Sequence, residues 1–387
     1  MDSINKIKVL HMATIDFTID KMLMDKMGYL RGYGYDIRFA SNSGKYLNNI
    51  QNAGFRFQPI KMSREISIFK DLRSIYNTYK YLKKEKFTIV HTHTAKAGFI
   101  GRMAAKLAGT PVIIHTSHGL PFYEGQSRIK YNLYLFLEKL ACRMSDFVFS
   151  QNMEDVENMK KLNFRPAAGI GYEGNGVDTH KLDKEAAAFD GDEKKRELGI
   201  PDNAVVLGYY ARFEPVKGHK LFIDAFSSIV KKYGNVLCLM AGKGFLEEEI
   251  KQYAAMKNVD KNIRFLGFRE DIHEIISITD ILVLASEKEG IPRVVMEGMY
   301  LEKPVVATDV LGTRELVVSE ETGFLCAYGD ADGLAARIAL LVEDRDLRIK
   351  MGKAGRERII NHFTEEIVAG RIDAVYKDLL ARKGITE

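Results

Sequence analysis

DILVLASEKEGIPRVVMEGM, residues 280–299, is the stretch on which the fold reading turns. Its first seven residues are apolar and β-leaning, as a buried strand requires. Gly290 and Pro292 then rule out one continuous helix through Glu289 and Glu297. Proline is best tolerated at the first helical position, so the pattern predicts a helix that starts near Pro292. The unit is strand, glycine turn, helix, the repeating element of a parallel sheet covered by helices.

The pattern continues in both directions. Upstream, IKVLHMA, DIRFAS, FRFQPI, TIVHTH, PVIIHTS and DFVFSQ read as strands, separated by helical patterns near 18–34, 67–86, 96–108, 128–144 and 152–163. In the second half AVVLGYYA, VLCLMAG, IRFLGF, DILVLAS, PVVATD and GFLCA alternate with helices near 217–232, 245–256, 270–278, 292–301 and 332–343. The last 40 residues read as two helices. Each half is thus predicted to be an α/β, doubly wound, Rossmann-like parallel sheet. A polar stretch at 174–203, with no clear strand, separates them. The expected domains are 1–180 and 200–363, with 181–199 as linker. Two such domains are expected to face a cleft lined by the carboxyl ends of both sheets, where open α/β sheets bind ligands.

At 387 residues the chain can bury two cores, and 46% hydrophobic with 28% charged residues is a globular composition. Cys142, Cys238 and Cys326 are odd in number and widely spaced, which suits a reducing cytoplasm rather than a disulfide frame. VLHMAT (9–14) is too short for a signal segment, and nothing is apolar enough to span a membrane. Charge is uneven: residues 1–185 hold 28 Lys/Arg against 18 Asp/Glu, and 186–387 hold 29 against 34. The basic half includes FKDLRSIYNTYKYLKKEKF (69–87), whose tyrosines and lysines can meet an anionic membrane face or simply form a solvated helix. No recognition motif accompanies the charge, so a nucleic-acid partner is not expected.

Chemistry concentrates past the strand ends. Free amide N–H groups around Gly290, Ile291 and Arg293, in the turn shaped by Pro292, are expected to form an anion site at a helix start, with Glu289 at its rim. Glu297 follows about 7.5 Å along the axis, at ~1.5 Å per residue. Acids in a first helical turn are also favoured by the dipole alone. After AVVLGYY, Arg212 and Lys217 flank a turn shaped by Pro215 and Gly218; they offer a planar fork and a compact charge to phosphate oxygens, or else are two surface cations. His91, His93, Thr94 and Lys96 follow one strand, and His115, His118 and Gly119 the next, so the imidazoles are expected to cluster at one sheet edge. They lack helical i,i+4 spacing and a nearby carboxylate, so no metal is expected there. A role on a sugar hydroxyl competes with a structural one. GIGYEG (169–174) matches a dinucleotide fingerprint without its strand or helix and reads as loop, and Asp332 of DAD (330–332) reads as a helix cap rather than a metal ligand.

Taken together, SEKEGIPRVVMEG, the Arg212/Lys217 pair, and IVHTHTAKAGFIGRMAA with PVIIHTSHG resemble the retaining glycosyltransferases of family 4, including bacterial capsule and exopolysaccharide enzymes. The resemblance implies the GT-B fold, with a final helix within 364–387 packing back on the N-terminal domain. It implies a nucleotide-diphosphate sugar donor, expected to be UDP-linked, and no cofactor or metal. Glu289 would meet the donor sugar, Glu297 the ribose, Arg212 and Lys217 the diphosphate, and Gly267, Phe268 and Arg269 the base. His118 would lie near the reacting sugar and acceptor, beside His93, Thr94 and Gly119. The implied acceptor is a glycan or polyprenyl-diphosphate-linked glycan, met on the cytoplasmic face of the membrane. One departure stands out: the loop after the first strand, MATIDFTID (12–20), lacks the family's glycine pair. A sugar-nucleotide 2-epimerase and a catalytically silent nucleotide-binding subunit share the expected architecture.

Overall fold

In a computed structural model, described over residues 6–63, 67–122 and 126–385, the chain divides into two compact units. Unit 1 comprises 1–174 with 365–387, and unit 2 comprises 175–364.

The seven strands of unit 1 are β1 (Lys8–Ile15), β2 (Asp36–Asn42), β3 (Arg56–Pro59), β4 (Ile89–His93), β5 (Val112–Ser117), β6 (Phe147–Ser150) and β7 (Gly169–Tyr172). Unit 2 carries β8 (Val205–Tyr210), β9 (Val236–Ala241), β10 (Ile263–Gly267), β11 (Ile281–Leu284), β12 (Val305–Thr308) and β13 (Gly323–Cys326). Their orders, β3-β2-β1-β4-β5-β6-β7 and β10-β9-β8-β11-β12-β13, are the same doubly wound plan. Every ladder is parallel, with registers such as Val9↔Ile89 and Val205↔Val236. In each sheet the order reverses beside the first strand, between β1 and β4 and between β8 and β11.

Successive strand residues are buried on opposite faces of the sheet. In unit 2, Leu207, Tyr209, Cys238, Met240, Ile281 and Val283 enter one apolar layer, while Val206, Leu237, Leu239, Leu282 and Leu284 enter the other. Such double-sided burial explains the near-continuous apolar runs in the sequence. Unit 1 does the same, with Val9, Ala13, Ile89 and Ile114 on one face and Leu10, Met12, Val90 and Ile113 on the other. The first of these faces is covered by the last helix, Glu365–Arg382, through Val368, Ala369, Ile372 and Tyr376.

The structure corrects three expectations and bears out a fourth. GIGY is a strand: it pairs with β6 at the sheet edge, and the Phe147 ring lies against Gly171, where a Cβ would be 2.8 Å away. Glycine weakens a strand but suits such a close approach. The supposed linker 181–199 belongs to unit 2 as the helices Thr179–Ala187 and Gly191–Glu197, capped by Asp178 and Asp190, with Leu182 in the core. The helix after Gly290 does start near Pro292, at Arg293, with Pro292 as its extended N-cap. Asp330, not Asp332, caps the helix Ala331–Glu343 by accepting from the Gly333 amide. In the glycine-free loop, β1 runs to Ile15 and helix begins at once at Asp16, whose carboxylate accepts from the Tyr46 amide at 2.9 Å.

Candidate active site

In unit 2 the loops after β8 and β11 meet at the point where strand order reverses. Gly218 makes this possible: it sits at φ +66°, and a Cβ there would lie 1.8 Å from the Ala285 carbonyl oxygen. No other residue type combines that conformation with that approach. The Glu287 amide donates to the Val216 carbonyl at 2.8 Å, and the Tyr209 hydroxyl donates to the Lys217 carbonyl. Lys217 is thereby brought to Glu289, donating from Nζ to Oε1 at 2.7 Å, while Ser286 Oγ donates to the same oxygen at 2.6 Å. Glu289 is buried, so this is a desolvated, charge-assisted pair. An ammonium has three donors, leaving Lys217 with protons for a second partner. Gly312 packs against the Gly290 carbonyl, where a Cβ would lie 1.0 Å away, and so fixes the turn before the helix Arg293–Tyr300.

Glu297, one turn into that helix, faces His273 Nε2 at 3.5 Å and Arg293 Nε at 3.6 Å, rather than a lysine at salt-bridge distance. Burial alone would raise its pKa, but these cations outweigh it and hold the carboxyl below its ordinary value. Burial would lower His273, yet Glu297 and Glu185 raise it. Arg212 is exposed and donates to Glu214 at 2.7 Å. Gly267 adopts φ +64° and its carbonyl accepts from the Gly242 amide; Phe268 is exposed, and Arg269 is tied to Asp271 and Glu197.

In unit 1 the strand ends hold a second polar centre. Thr94, just past β4, is a β-branched residue at φ +65°, and its hydroxyl meets that of Thr14 at 2.7 Å. A non-glycine residue held there stores roughly 1–3 kcal/mol, and such strain gathers at functional sites. His93 lies beneath the surface: both ring nitrogens are used, with His11 Nδ1 at 2.9 Å and His118 Nε2 at 3.2 Å. It therefore reaches a ligand only through His118. His118 is half-buried and precedes Gly119, which turns the chain at φ +121°. His115 points to the other face, onto Thr92 and against Gly98, so the histidines do not form one cluster.

Sequence reasoning missed His11, Thr116, Glu173, Lys26 and Tyr376. His91 meets Tyr376 and Thr116 at 2.7 Å each, Thr116 donates to Glu173, and Glu173 pairs with Lys26 at 2.9 Å with both side chains fully buried. The carboxylate thought absent is there, one hydroxyl removed. The period-two placement of His11, His91 and His93 on a buried strand face was a usable signal. Their ligand nitrogens lie within 4.8 Å of one another, the arrangement among the described residues that could hold a metal ion. Burial is the leading cause of depressed pKa in all five imidazoles, to about 3 for His11, about 4 for His118, and well below normal for His91, His93 and His115.

Two Rossmann-like sheets of one plan, each with its polar groups gathered past the strand ends, define a GT-B protein. Its likeness to the Anabaena HepE protein solved in complex with UDP has a TM-score of 0.82 at 20% identity, covering 96% of this chain and 100% of that one. Residues 190–358 match the family model "Glycosyl transferases group 1" and residues 6–152 match "Glycosyl transferase 4-like". The chain is 30% identical over 386 residues, 98% of itself and 99% of the relative, to the Escherichia coli UDP-Gal:alpha-D-GlcNAc-diphosphoundecaprenol alpha-1,3-galactosyltransferase. It is also 30% identical, over 96% of itself and 97% of the relative, to the Staphylococcus aureus capsular polysaccharide biosynthesis glycosyltransferase CapM. The chain belongs to the group 1, 4-like glycosyltransferases.

Proposed function

We propose that this glycosyltransferase moves a sugar, with retention of anomeric configuration, from a UDP-linked donor to a polyprenyl-diphosphate-linked glycan during bacterial surface polysaccharide synthesis. The observation that carries the reading is the Lys217–Glu289 pair, set at the reversal point of the second sheet beside the helix Arg293–Tyr300. Bond cleavage leaves negative charge on the departing diphosphate and an oxocarbenium-like sugar. Lys217, Arg212 and the amides of Gly290, Ile291 and Arg293 supply positive charge to the leaving group, so the reading needs no metal or cofactor. Glu289 orients Lys217 through one oxygen and takes a donor-sugar hydroxyl with the other, and Glu297 takes the ribose. The backbone of Gly267, Phe268 and Arg269 meets the base. The acceptor attacks from the leaving-group face, and a phosphate oxygen receives its proton.

The E. coli relative's name supports a UDP-sugar and a lipid diphosphate, and the HepE complex supports UDP. Incubation with candidate nucleotide sugars and a polyprenyl-diphosphate glycan, followed by NMR of the new linkage, tests the reading. An axial product from an axially linked donor supports it; inversion, or an epimerised nucleotide formed without acceptor, overturns it.

The acceptor half of the reading puts unit 1 on the cytoplasmic membrane face. No helix among the described residues is long and apolar enough to cross a membrane. Two helices instead present apolar side chains to solvent: Ile68, Phe69, Leu72 and Tyr76 on Ile68–Glu85, and Ile129, Leu133 and Phe136 on Arg128–Cys142. Both pack on the helix Ala95–Ala108, and both carry lysines. Amphipathic basic helices of this kind lie in a lipid interface. Salt-sensitive sedimentation with anionic vesicles is expected, abolished by combining Phe69→Glu, Ile129→Glu and Phe136→Glu. Unchanged sedimentation of that variant would remove the membrane step.

A further inference from the structure

Eight groups of unit 1, from Lys26 to His118, form one continuous hydrogen-bonded chain, and donor–acceptor accounting gives it a single direction. Lys26 Nζ donates to Glu173 Oε1 at 2.9 Å, and Thr116 Oγ1 donates to Glu173 Oε2. A carboxylate only accepts, and a hydroxyl has one proton, so Thr116 must accept from its next partner. That partner is His91 Nε2 at 2.7 Å, which therefore carries the ring proton. His91 Nδ1 is left as acceptor for the Tyr376 hydroxyl at 2.7 Å. With its proton spent, Tyr376 accepts from His11 Nε2 at 3.3 Å. His11 Nδ1 then accepts from His93 Nε2 at 2.9 Å, and His93 Nδ1 accepts from His118 Nε2 at 3.2 Å. Each imidazole is neutral near pH 7 because burial depresses its pKa, so each has one proton to place. His118 Nδ1, at the end of the chain, and Gln151 Nε2 are buried and make no hydrogen bond of normal geometry among the described residues, although the Gln151 side chain lies close enough to the His118 ring to raise its pKa against the larger effect of burial. A buried acceptor without a donor is the exception in folded proteins and marks a group awaiting one.

We propose that this chain is a tautomer lock: Glu173, acting through Thr116, His91, Tyr376, His11 and His93, holds His118 with its proton on Nε2 and a lone pair on Nδ1, to accept a hydrogen bond from a substrate hydroxyl. The six residues behind His118 are positioning residues, and a single acceptor-only atom selects a carbohydrate hydroxyl over a group that cannot donate. The assignment of the ligand rests on the sugar-transfer reading above; the lock itself does not. A metal on His11, His91 and His93 is incompatible with the lock, because a metal takes the lone pair where His93 Nε2 carries a proton.

The test is a two-bond ¹⁵N–¹H correlation spectrum of the full-length protein at pH 7, with the His118 signals assigned by their loss in His118→Asn. The lock predicts that His118 is protonated at Nε2 alone. Thr116→Val keeps the shape but removes the hydroxyl, Thr116→Ser restores it, and Tyr376→Phe cuts the chain at a second place. Val and Phe should each admit the Nδ1–H form of His118 and lower kcat/KM by roughly 10- to 100-fold; Ser should return both to wild type. An Nδ1 proton on His118 in the unmodified protein overturns the lock. So does an unchanged tautomer in both Thr116→Val and Tyr376→Phe, or one equivalent of zinc recovered with the protein and lost in His11→Gln. If no sugar is transferred, the spectra still decide the lock, and the failure then belongs to the catalytic reading alone.

Discussion

On the central strands β1 and β4 of the first sheet lie His11, His91 and His93; on their counterparts β8 and β11 in the second sheet lie Tyr209 and Val283, with Ala285 just beyond. One plan of strands thus carries two kinds of interior. Unit 2 keeps its sheet faces apolar and holds its charged groups beyond the strands, Lys217 and Glu289 in turns and Glu297 in a helix, each paired with a nearby opposite charge. Unit 1 instead buries His11, His91 and His93, and even a lysine–glutamate pair, inside the sheet-to-helix layer under the last helix, whereas among the described residues unit 2 buries the single imidazole of His219. An apolar floor tolerates any proton concentration. A floor of neutral histidines does not, because each must shed its proton to fold.

The largest effect that could break the comparison is therefore acid sensitivity. The five imidazoles of unit 1 have folded pKa values below the unfolded value of about 6.5. Below that pH the unfolded chain takes protons that the folded chain refuses, so stability falls as pH falls, down to the folded values, about 4 for His118 and about 3 for His11. At roughly 1.4 kcal/mol per proton and pH unit, five groups approach ~7 kcal/mol per pH unit once the unfolded histidines are charged. Hydrogen exchange, corrected for intrinsic rate, should show β1, β4 and β5 losing protection between pH 7 and pH 5 before β8, β9 and β11. Equal loss in both sheets would dissolve the distinction.

Next in size comes the division of labour. Lys217→Ala or Glu289→Gln should lower turnover by ~10²–10³, the scale of losing one aimed donor to a developing negative charge. Each should also weaken UDP binding by calorimetry. His118→Ala should lower turnover while leaving the heat of UDP binding unchanged. Impaired UDP binding in His118→Ala, or normal turnover in Lys217→Ala, would reassign the two roles.

These contrasts also explain what a reader of the sequence could see. Alternation and apolar runs reveal β1 to β6 and β8 to β13, and for the central strands double-sided burial demands such runs. β7 escapes because half its residues are glycines, and the helices 179–187 and 191–197 because their faces are mostly polar, although the caps Asp178 and Asp190 were readable. Glu289 and Lys217 stand out because the turn chemistry around Gly290, Pro292 and Gly218 is local. That they touch is not local: it depends on the Gly218 approach to Ala285. The buried chain is less legible still, since Tyr376 meets His91 across 285 positions and only the fold brings them together.

The smallest effect sharpens the comparison most, because it uses the same residue type with the opposite sign. His273 in unit 2 is also largely enclosed, yet it lies between Glu185 and Glu297, with Nε2 3.5 Å from the latter. Burial lowers its pKa, the two carboxylates raise it, and the net shift is upward. A raised folded value means that its charge-dependent stabilisation is fully present below the unfolded pKa of about 6.5 and fades as pH rises through the folded value. The difference in Tm between wild type and His273→Gln should therefore be largest near pH 5.5 and vanish near pH 9. A partly exposed pair of this kind contributes ~1 kcal/mol or less, so a shift of a few degrees is expected. A difference that grows with pH would mean that desolvation governs His273 as it governs the histidines of unit 1. The neighbouring carboxylates would then have no part in setting its charge.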